Sequence, residues 1–260
     1  MHLAEKLHEE VYLYENVIED PAKLVSLIED LDADPTSYSV IPEWGFWFSN
    51  SADGHSFGSK KDFNLDALET LQSPREDDIK YVAEQIRGAI KNVSEAYYRD
   101  RGFEGEPNIS PFAGVMKYRP GCEMGAHFDA QAGDQTLKYS IVVYLNDDYE
   151  GGEISFIIRK ADLRNPKNSH LRPVADLKDP QNEGLIDFTL KPKPGSALIF
   201  PSTHPYNHQV HKIYSGDKYM FPGFVFIDEF DISNPEHRQK YNAGSSIAQE
   251  TTKYLDEEDE

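Results

Sequence analysis

The sequence predicts a mainly β protein with supporting helices, folded as a double-sheet jelly roll. Three observations carry this. Two amphipathic helical stripes occur before about residue 105, and the apolar period turns extended from Phe112. Eight short candidate strands then follow, with turn residues between them. Repeated short strands of this kind fit two packed antiparallel sheets. With 38% hydrophobic residues in a chain of 260, a core of that size can form.

In chain order, Met1 to Glu10 is polar and charged, and Val11 to Val17 has strand character. Asp20-Pro21 combines a capping acid with Pro at the first helical position. Leu24, Leu27, Ile28 and Leu31 continue it as one apolar stripe, and Asp32 to Ser39 breaks it. In Ile41 to Lys61, Trp44, Phe46, Trp47 and Phe48 adjoin the Gly/Ser/Asn-rich run Ser49 to Ser59. The favoured reading is an apolar plug beneath a loose loop; the other is a flap that grips substrate. Ser73-Pro74-Arg75-Glu76 has the form of a capping box with Pro at the first position. Ile79, Val82, Ala83, Ile86, Ile90, Val93 and Tyr97 then define the longest helix, ending near Tyr98 before Gly102.

The eight strands are Phe112 to Tyr118, Ala126 to Phe128, Lys138 to Leu145, Glu153 to Ile158, Leu185 to Leu190, Ser196 to Phe200, His208 to Ile213 and Lys218 to Ile227. Arg159 to Asn182 is too long for a hairpin loop. Its Arg159, Lys160, Arg164, Lys167 and Arg172 form a basic patch in an acidic protein. A solvated insertion is the favoured reading, and a substrate-binding loop that attracts a carboxylate or an acidic peptide is the alternative. After Asp228 a helix-like stretch begins at Asn234-Pro235 and loses pattern from Ala243. The tail Asp256 to Glu260 reads as solvated and disordered. The expected organisation is residues 1–105 as support, 106–230 as the β core and 231–260 as an extension.

Composition excludes some roles. The net charge of -20 repels polyanions, so no nucleic-acid partner is expected. No apolar run approaches the roughly 20 residues of a membrane span, and no signal-peptide pattern is present. Cys122 is the one cysteine, so no internal disulfide can form and a reducing, cytoplasmic location is expected. Oligomeric state is left open.

The chemistry concentrates in Tyr118 to Asp129. If His127-Phe128-Asp129 is extended, His127 and Asp129 project to one face and Phe128 to the other. His208-Gln209-Val210-His211, after the apolar run Ser196 to Phe200, offers a third group. Two imidazoles and one carboxylate, with three positions left open, make the facial set of non-haem Fe(II) oxygenases. His204, His208 and His211 compete for the distal place. Lys218 follows His208 by ten residues and opens another apolar strand.

Taken together, these residues resemble the 2-oxoglutarate and Fe(II)-dependent oxygenases, in their prolyl 4-hydroxylase-like branch. The resemblance runs from about residue 112 to 228. It rests on Tyr118, Pro120-Gly121, His127, Asp129, Tyr144-Leu145-Asn146, Gly151-Gly152-Glu153, Gly195 to Phe200, His208 and Lys218. Two positions depart from the branch: Ile154 stands where Thr is usual, and Tyr219 where Trp is frequent. The resemblance implies a double-stranded β-helix (jelly roll, cupin-like) with the N-terminal helices on one sheet. It implies His127, Asp129 and His208 as iron ligands, because only His208 has the ten-residue offset to Lys218. It implies Lys218 as partner of the distal carboxylate of 2-oxoglutarate and the Tyr118 hydroxyl as a second donor. The cofactors implied are Fe(II), 2-oxoglutarate and O2, with ascorbate as an optional addition.

The residue types suit that chemistry. A buried carboxylate needs a cation and a hydroxyl donor to offset its desolvation, and Lys supplies a point charge where Arg would supply a fork. Relatives that halogenate lack the carboxylate ligand, so Asp129 favours hydroxylation. The substrate implied is a peptide or protein, with a free amino acid or other small molecule as the alternative. A non-catalytic jelly-roll binding protein is the reading of another class.

Overall fold

The Asp20 carboxylate accepts the Lys23 backbone N–H at 2.9 Å and so starts helix α1 (Pro21–Asp32). Leu24, Ile28 and Leu31 on its inner face are fully buried. Helix α2 (Glu76–Arg101) carries Glu76, Asp77 and Asp78 in its first turn and Arg99 and Arg101 in its last, matching the helix dipole. Gly102 ends it with φ 68°, a left-handed conformation that glycine adopts without a Cβ clash. Ser73 of the predicted capping box lies outside the described residues. The helix begins at Glu76, and Arg75 caps it without a side-chain bond to the backbone. Arg75 Nε instead bonds Asp78 at 2.7 Å.

The structure is a computed structural model. It describes residues 1–32, 45–51, 54–63, 74–109, 113–130, 136–158 and 186–231, together with Asn234 and Glu236. The expectations for the basic insertion and the acidic tail lie outside these residues, as does most of the C-terminal helix-like stretch.

Among the described residues the strands are β1 (His2–Lys6), β2 (Tyr12–Glu15), β3 (Gly45–Ser51), β4 (Gly54–Phe63), β5 (Ala113–Tyr118), β6 (Met124–His127) and β7 (Leu137–Tyr144). They continue with β8 (Glu150–Gly151), β9 (Ile154–Ile157), β10 (Phe188–Leu190), β11 (Ala197–Pro201), β12 (Asn207–Val210), β13 (Ile213–Ser215) and β14 (Lys218–Phe226). The major sheet runs β1-β2-β11-β7-β14-β5-β4-β3, the minor sheet β10-β9-β12-β6, and β13 pairs with β8. All pairings are antiparallel.

Strand alternation sorts the core into two layers. On β7, Tyr139, Ile141 and Val143 pack toward the helices, whereas Val142 and Tyr144 face the minor sheet. On β11, Ala197 and Ile199 face the helices and Leu198 and Phe200 face inward. The helices therefore cover the outer face of the major sheet. The inner face meets Ile154 and Phe156 of the minor sheet, as a double-stranded β-helix requires.

Three segments differ from the sequence reading. Residues 45–51 and 54–63 form a β-hairpin whose second strand pairs with β5, extending the major sheet where a loose loop was favoured. The expected strand His208 to Ile213 is broken at His211 and Lys212. There the chain leaves β9 and re-pairs with β8 across a register shift. Strand β1 was not foreseen, because all five of its residues are exposed and leave no apolar period to read.

Candidate metal centre

Strands β6 and β12 are neighbours in the minor sheet, and His127 and His208 are direct cross-strand partners. Their ring centroids lie 4.4 Å apart. Asp129 is just past the end of β6, in a bend rather than on the extended strand that the sequence suggested. The bend turns its carboxylate to both rings. Oδ1 lies 3.3 Å from His127 Nε2, and Oδ2 lies 3.8 Å from His208 Nε2. One donor atom from each of the three residues falls within 4.8 Å of the others, the one such cluster of three among the described residues.

Backbone carbonyls set the tautomers. His127 Nδ1 is 2.8 Å from Gly125 O and His208 Nδ1 is 3.3 Å from Tyr206 O. A carbonyl only accepts, so each Nδ1 carries the proton and each Nε2 presents its lone pair to the shared space. Phe200 and Phe156 flank the His208 ring at 4.7 and 5.8 Å between centroids. His208 is buried, while the side chains of His127 and Asp129 keep 27% and 20% exposure. The cluster is thus walled on one side and open on the other.

Burial pushes the Asp129 carboxyl up, but the His208 ring, the hydrogen-bonded His127 ring and the Ser140 hydroxyl outweigh it and hold it below the usual carboxylate range. Burial lowers His208 to about 4, assisted by His127 and opposed by Asp129. At neutral pH the set is a carboxylate and a neutral imidazole, the forms that bind a metal. Ser140 Oγ is also 2.7 Å from Ser202 Oγ, which fixes the hydroxyl beside Asp129.

A second buried cluster gathers around Lys218. Lys218, at the start of β14, is the cross-strand partner of Tyr118 on β5. It is 1% exposed and donates to Gly152 O at 2.6 Å. The Tyr118, Tyr144 and Tyr149 ring centroids lie 5.8, 5.3 and 5.7 Å from its Nζ. Burial lowers Lys218 to about 7, with Glu153 opposing and Lys191 assisting. Among the described residues no carboxylate comes within ion-pair distance of it. The Tyr144 and Tyr149 hydroxyls are buried with no hydrogen-bond partner among the described residues. Burial also raises the Tyr118 hydroxyl, and the charges of Cys122 and Asp129 add to it, which places Tyr118 within electrostatic reach of the first cluster. A buried amine with unmatched hydroxyls around it is short of an anion.

The sequence-predicted residues therefore come together in two groups: His127, Asp129 and His208 in one, Tyr118 and Lys218 in the other. The competing histidines separate from them. His204 is exposed on a turn, and His211 is buried against Ser155 Oγ at 2.6 Å. Sequence reasoning missed Tyr149, Ser140 and the part played by Tyr144. The alternation of β7 places Tyr144 on the inner face, so that signal was available; nothing local marks Tyr149.

A comparison with curated proteins finds no match to the chain. Solved structures do match it in fold. An oxidoreductase of the 2OG-Fe(II) oxygenase family from Burkholderia pseudomallei superposes with TM-score 0.51 at 12% identity, over 84% of this chain and 85% of that one. A Trichoplax adhaerens prolyl hydroxylase, solved in complex with a hypoxia inducible factor oxygen degradation domain peptide fragment, superposes with TM-score 0.50 at 13% identity, over 84% and 83%. At these identities the likeness is one of fold. In sequence, residues 113–226 match the family described as the 2OG-Fe(II) oxygenase superfamily. That span, under half of the chain, holds both histidines, the aspartate, Tyr118 and Lys218, and is similar to the 2OG-Fe(II) oxygenases, dioxygenases that use Fe(II), 2-oxoglutarate and O2.

Proposed function

We propose that His127, Asp129 and His208 bind the iron, that Lys218 and Tyr118 hold the distal carboxylate of 2-oxoglutarate, and that the enzyme hydroxylates a C–H bond in a peptide or protein, as a prolyl 4-hydroxylase does. The carrying observation is the juxtaposition of an open two-histidine, one-carboxylate cluster with a buried lysine that meets no carboxylate among the described residues. The donor set suits Fe(II), and the orphaned tyrosine hydroxyls suit a carboxylate ligand.

Bound together, iron, 2-oxoglutarate and O2 supply the oxidising power for C–H hydroxylation, with decarboxylation of the co-substrate to succinate and CO2. The chain contributes placement. Gly125 O and Tyr206 O aim the two Nε2 lone pairs. Ser140 steadies the Asp129 carboxylate. Lys218 holds a proton at Nζ when an anion arrives, and Phe156 and Phe200 keep the back of the site dry. A carboxylate in the third ligand position favours transfer of hydroxyl. The fold shared with a prolyl hydroxylase solved with a peptide supports a peptide substrate, and the net charge of -20 argues against nucleic acid.

The test is an anaerobic titration of the metal-free protein with Fe(II) and 2-oxoglutarate, followed by the visible charge-transfer band. A band saturating at one equivalent, and lost in Asp129→Ala, is the expected result. Folded protein that takes up iron without a band defeats the assignment. Proline-containing peptides are then screened by mass for the gain of one oxygen. Turnover of free proline in place of peptides would move the substrate to a small molecule.

A further inference from the structure

Beyond the three clustered side chains, one carboxylate far from them in sequence is linked to His208 through Tyr206. The turn after β1 brings Glu10 to the junction of three elements. Its Oε1 accepts Arg101 Nη2, in the last turn of α2, at 2.7 Å. Its Oε2 accepts the Tyr206 hydroxyl, on the loop entering β12, at 2.8 Å. The Glu10 backbone carbonyl accepts the Tyr97 hydroxyl of α2 at 3.0 Å. The Tyr206 ring is 7% exposed and meets His8 edge-on, with centroids 5.7 Å apart.

Tyr206 is also the residue whose carbonyl accepts the His208 Nδ1 proton. Its side chain is anchored on Glu10 and its backbone aims the imidazole. That 3.3 Å bond is already longer than the 2.8 Å bond which holds His127, so a small shift of its acceptor would break it. We infer that Glu10 and Tyr206 are positioning residues for the metal centre: the Glu10–Tyr206 hydrogen bond fixes the Tyr206 carbonyl, and through it the orientation of His208 Nε2. The inference rests on His208 being a metal ligand. It makes the N-terminal segment, outside the matched family span, part of the metal-binding apparatus.

Outer-sphere partners of this kind typically change metal affinity by roughly 10- to 100-fold. The experiment measures Co(II) affinity of the full-length protein by chelator competition and by its visible ligand-field bands, with Tm alongside. The chains compared are the parent, Tyr206→Phe, Glu10→Ala, the double variant and Tyr97→Phe. Tyr206→Phe and Glu10→Ala are each expected to weaken Co(II) binding about tenfold or more and to shift the bands, with the double variant no weaker than the worse single. Tyr97→Phe removes a bond to the same turn without touching Tyr206. It should lower Tm while leaving Co(II) affinity at the parent value. Parent-like affinity and bands in a folded Tyr206→Phe overturn the inference; if that chain does not fold, parent-like affinity in Glu10→Ala overturns it equally. Failure of the parent itself to bind Co(II), or full Co(II) affinity in His208→Ala, would strike the metal assignment instead.

Discussion

Lys218 and Tyr118 are direct partners across the β14–β5 ladder, and the lysine Nζ lies 5.8 Å from the tyrosine ring centroid. The pairing carries the lysine from the strand end into a cage of three tyrosines, where one carbonyl, Gly152 O, receives it. Replacing it should have opposite effects on the two states of the protein. Lys218→Met should stabilise the ligand-free protein, because a buried polar head with too few partners is exchanged for an apolar isostere. The same change should weaken 2-oxoglutarate binding about 10- to 100-fold, the equivalent of one hydrogen bond to a charged group at about 1.5–3 kcal/mol. Tm without ligand and the 2-oxoglutarate titration read the two effects. A Tm that falls while the affinity stays unchanged would show the lysine to be structural.

The same residue sets a pH dependence. Burial lowers Lys218 to about 7 in the folded protein, whereas an unfolded lysine keeps its proton to about 10.4. Between those values the unfolded chain binds more protons, so Lys218 makes stability rise with pH across that window. Below about 7 both states are protonated and the burial penalty is felt in full. Binding a dianion beside the amine restores the proton. At pH 8 the binding of 2-oxoglutarate should therefore take up close to one proton, measured by calorimetry in two buffers of different ionisation enthalpy. Lys218→Met should abolish the uptake.

Tyr144 and Tyr149 provide an independent check on the pocket. Their hydroxyls are buried and unmatched among the described residues, so Tyr144→Phe and Tyr149→Phe remove desolvated groups without breaking a bond. Each should leave the ligand-free protein as stable or stabilise it by up to about 1 kcal/mol. If the hydroxyls meet the incoming carboxylate, each should also weaken 2-oxoglutarate binding by about tenfold or more. Two phenylalanine variants with parent affinity would leave the anion to Lys218 and Tyr118 alone.

Much of this was legible in the sequence, for identifiable reasons. Strands β7, β9, β11 and β14 carry buried apolar runs, and their period survives in any sequence window. Asp20, Pro21 and Gly102 are capping signals that act locally, and the two helix ends they mark lie where expected. The three clustered side chains were readable as a candidate set because His127 and Asp129 are two apart and His208 stands ten residues before Lys218. What could not be read depends on contacts distant in sequence. The exposed β1 exists through its pairing with β2. Glu10 reaches Tyr206 across 196 positions. Ser73-Pro74-Arg75-Glu76 matched a local motif, but Arg75 Nε found Asp78 and the helix began two residues later than the motif requires.

Gly223 gives a test of how the helical layer supports the site. It lies on β14 five residues after Lys218, where α2 crosses the sheet. A Cβ built there would come within 2.6 Å of Ile90 Cγ1 and 2.9 Å of Ile90 Cδ1. Its backbone has no positive φ, so the obstacle is space rather than conformation. The atoms in the way belong to the side chain of a buried α2 residue, held by the surrounding core. Gly223→Ala should therefore destabilise the protein by about 1–3 kcal/mol, the usual cost of overpacking. Ile90→Ala alone should cost about 2–5 kcal/mol through the cavity it leaves. In the double variant the new methyl fills part of that cavity, so the loss should be smaller than the sum by at least about 1 kcal/mol. Urea unfolding of the four chains measures the coupling. Strict additivity would mean that β14 shifts away from α2 to admit the methyl, and 2-oxoglutarate affinity should then fall in Gly223→Ala as well, because Lys218 rides on the same strand.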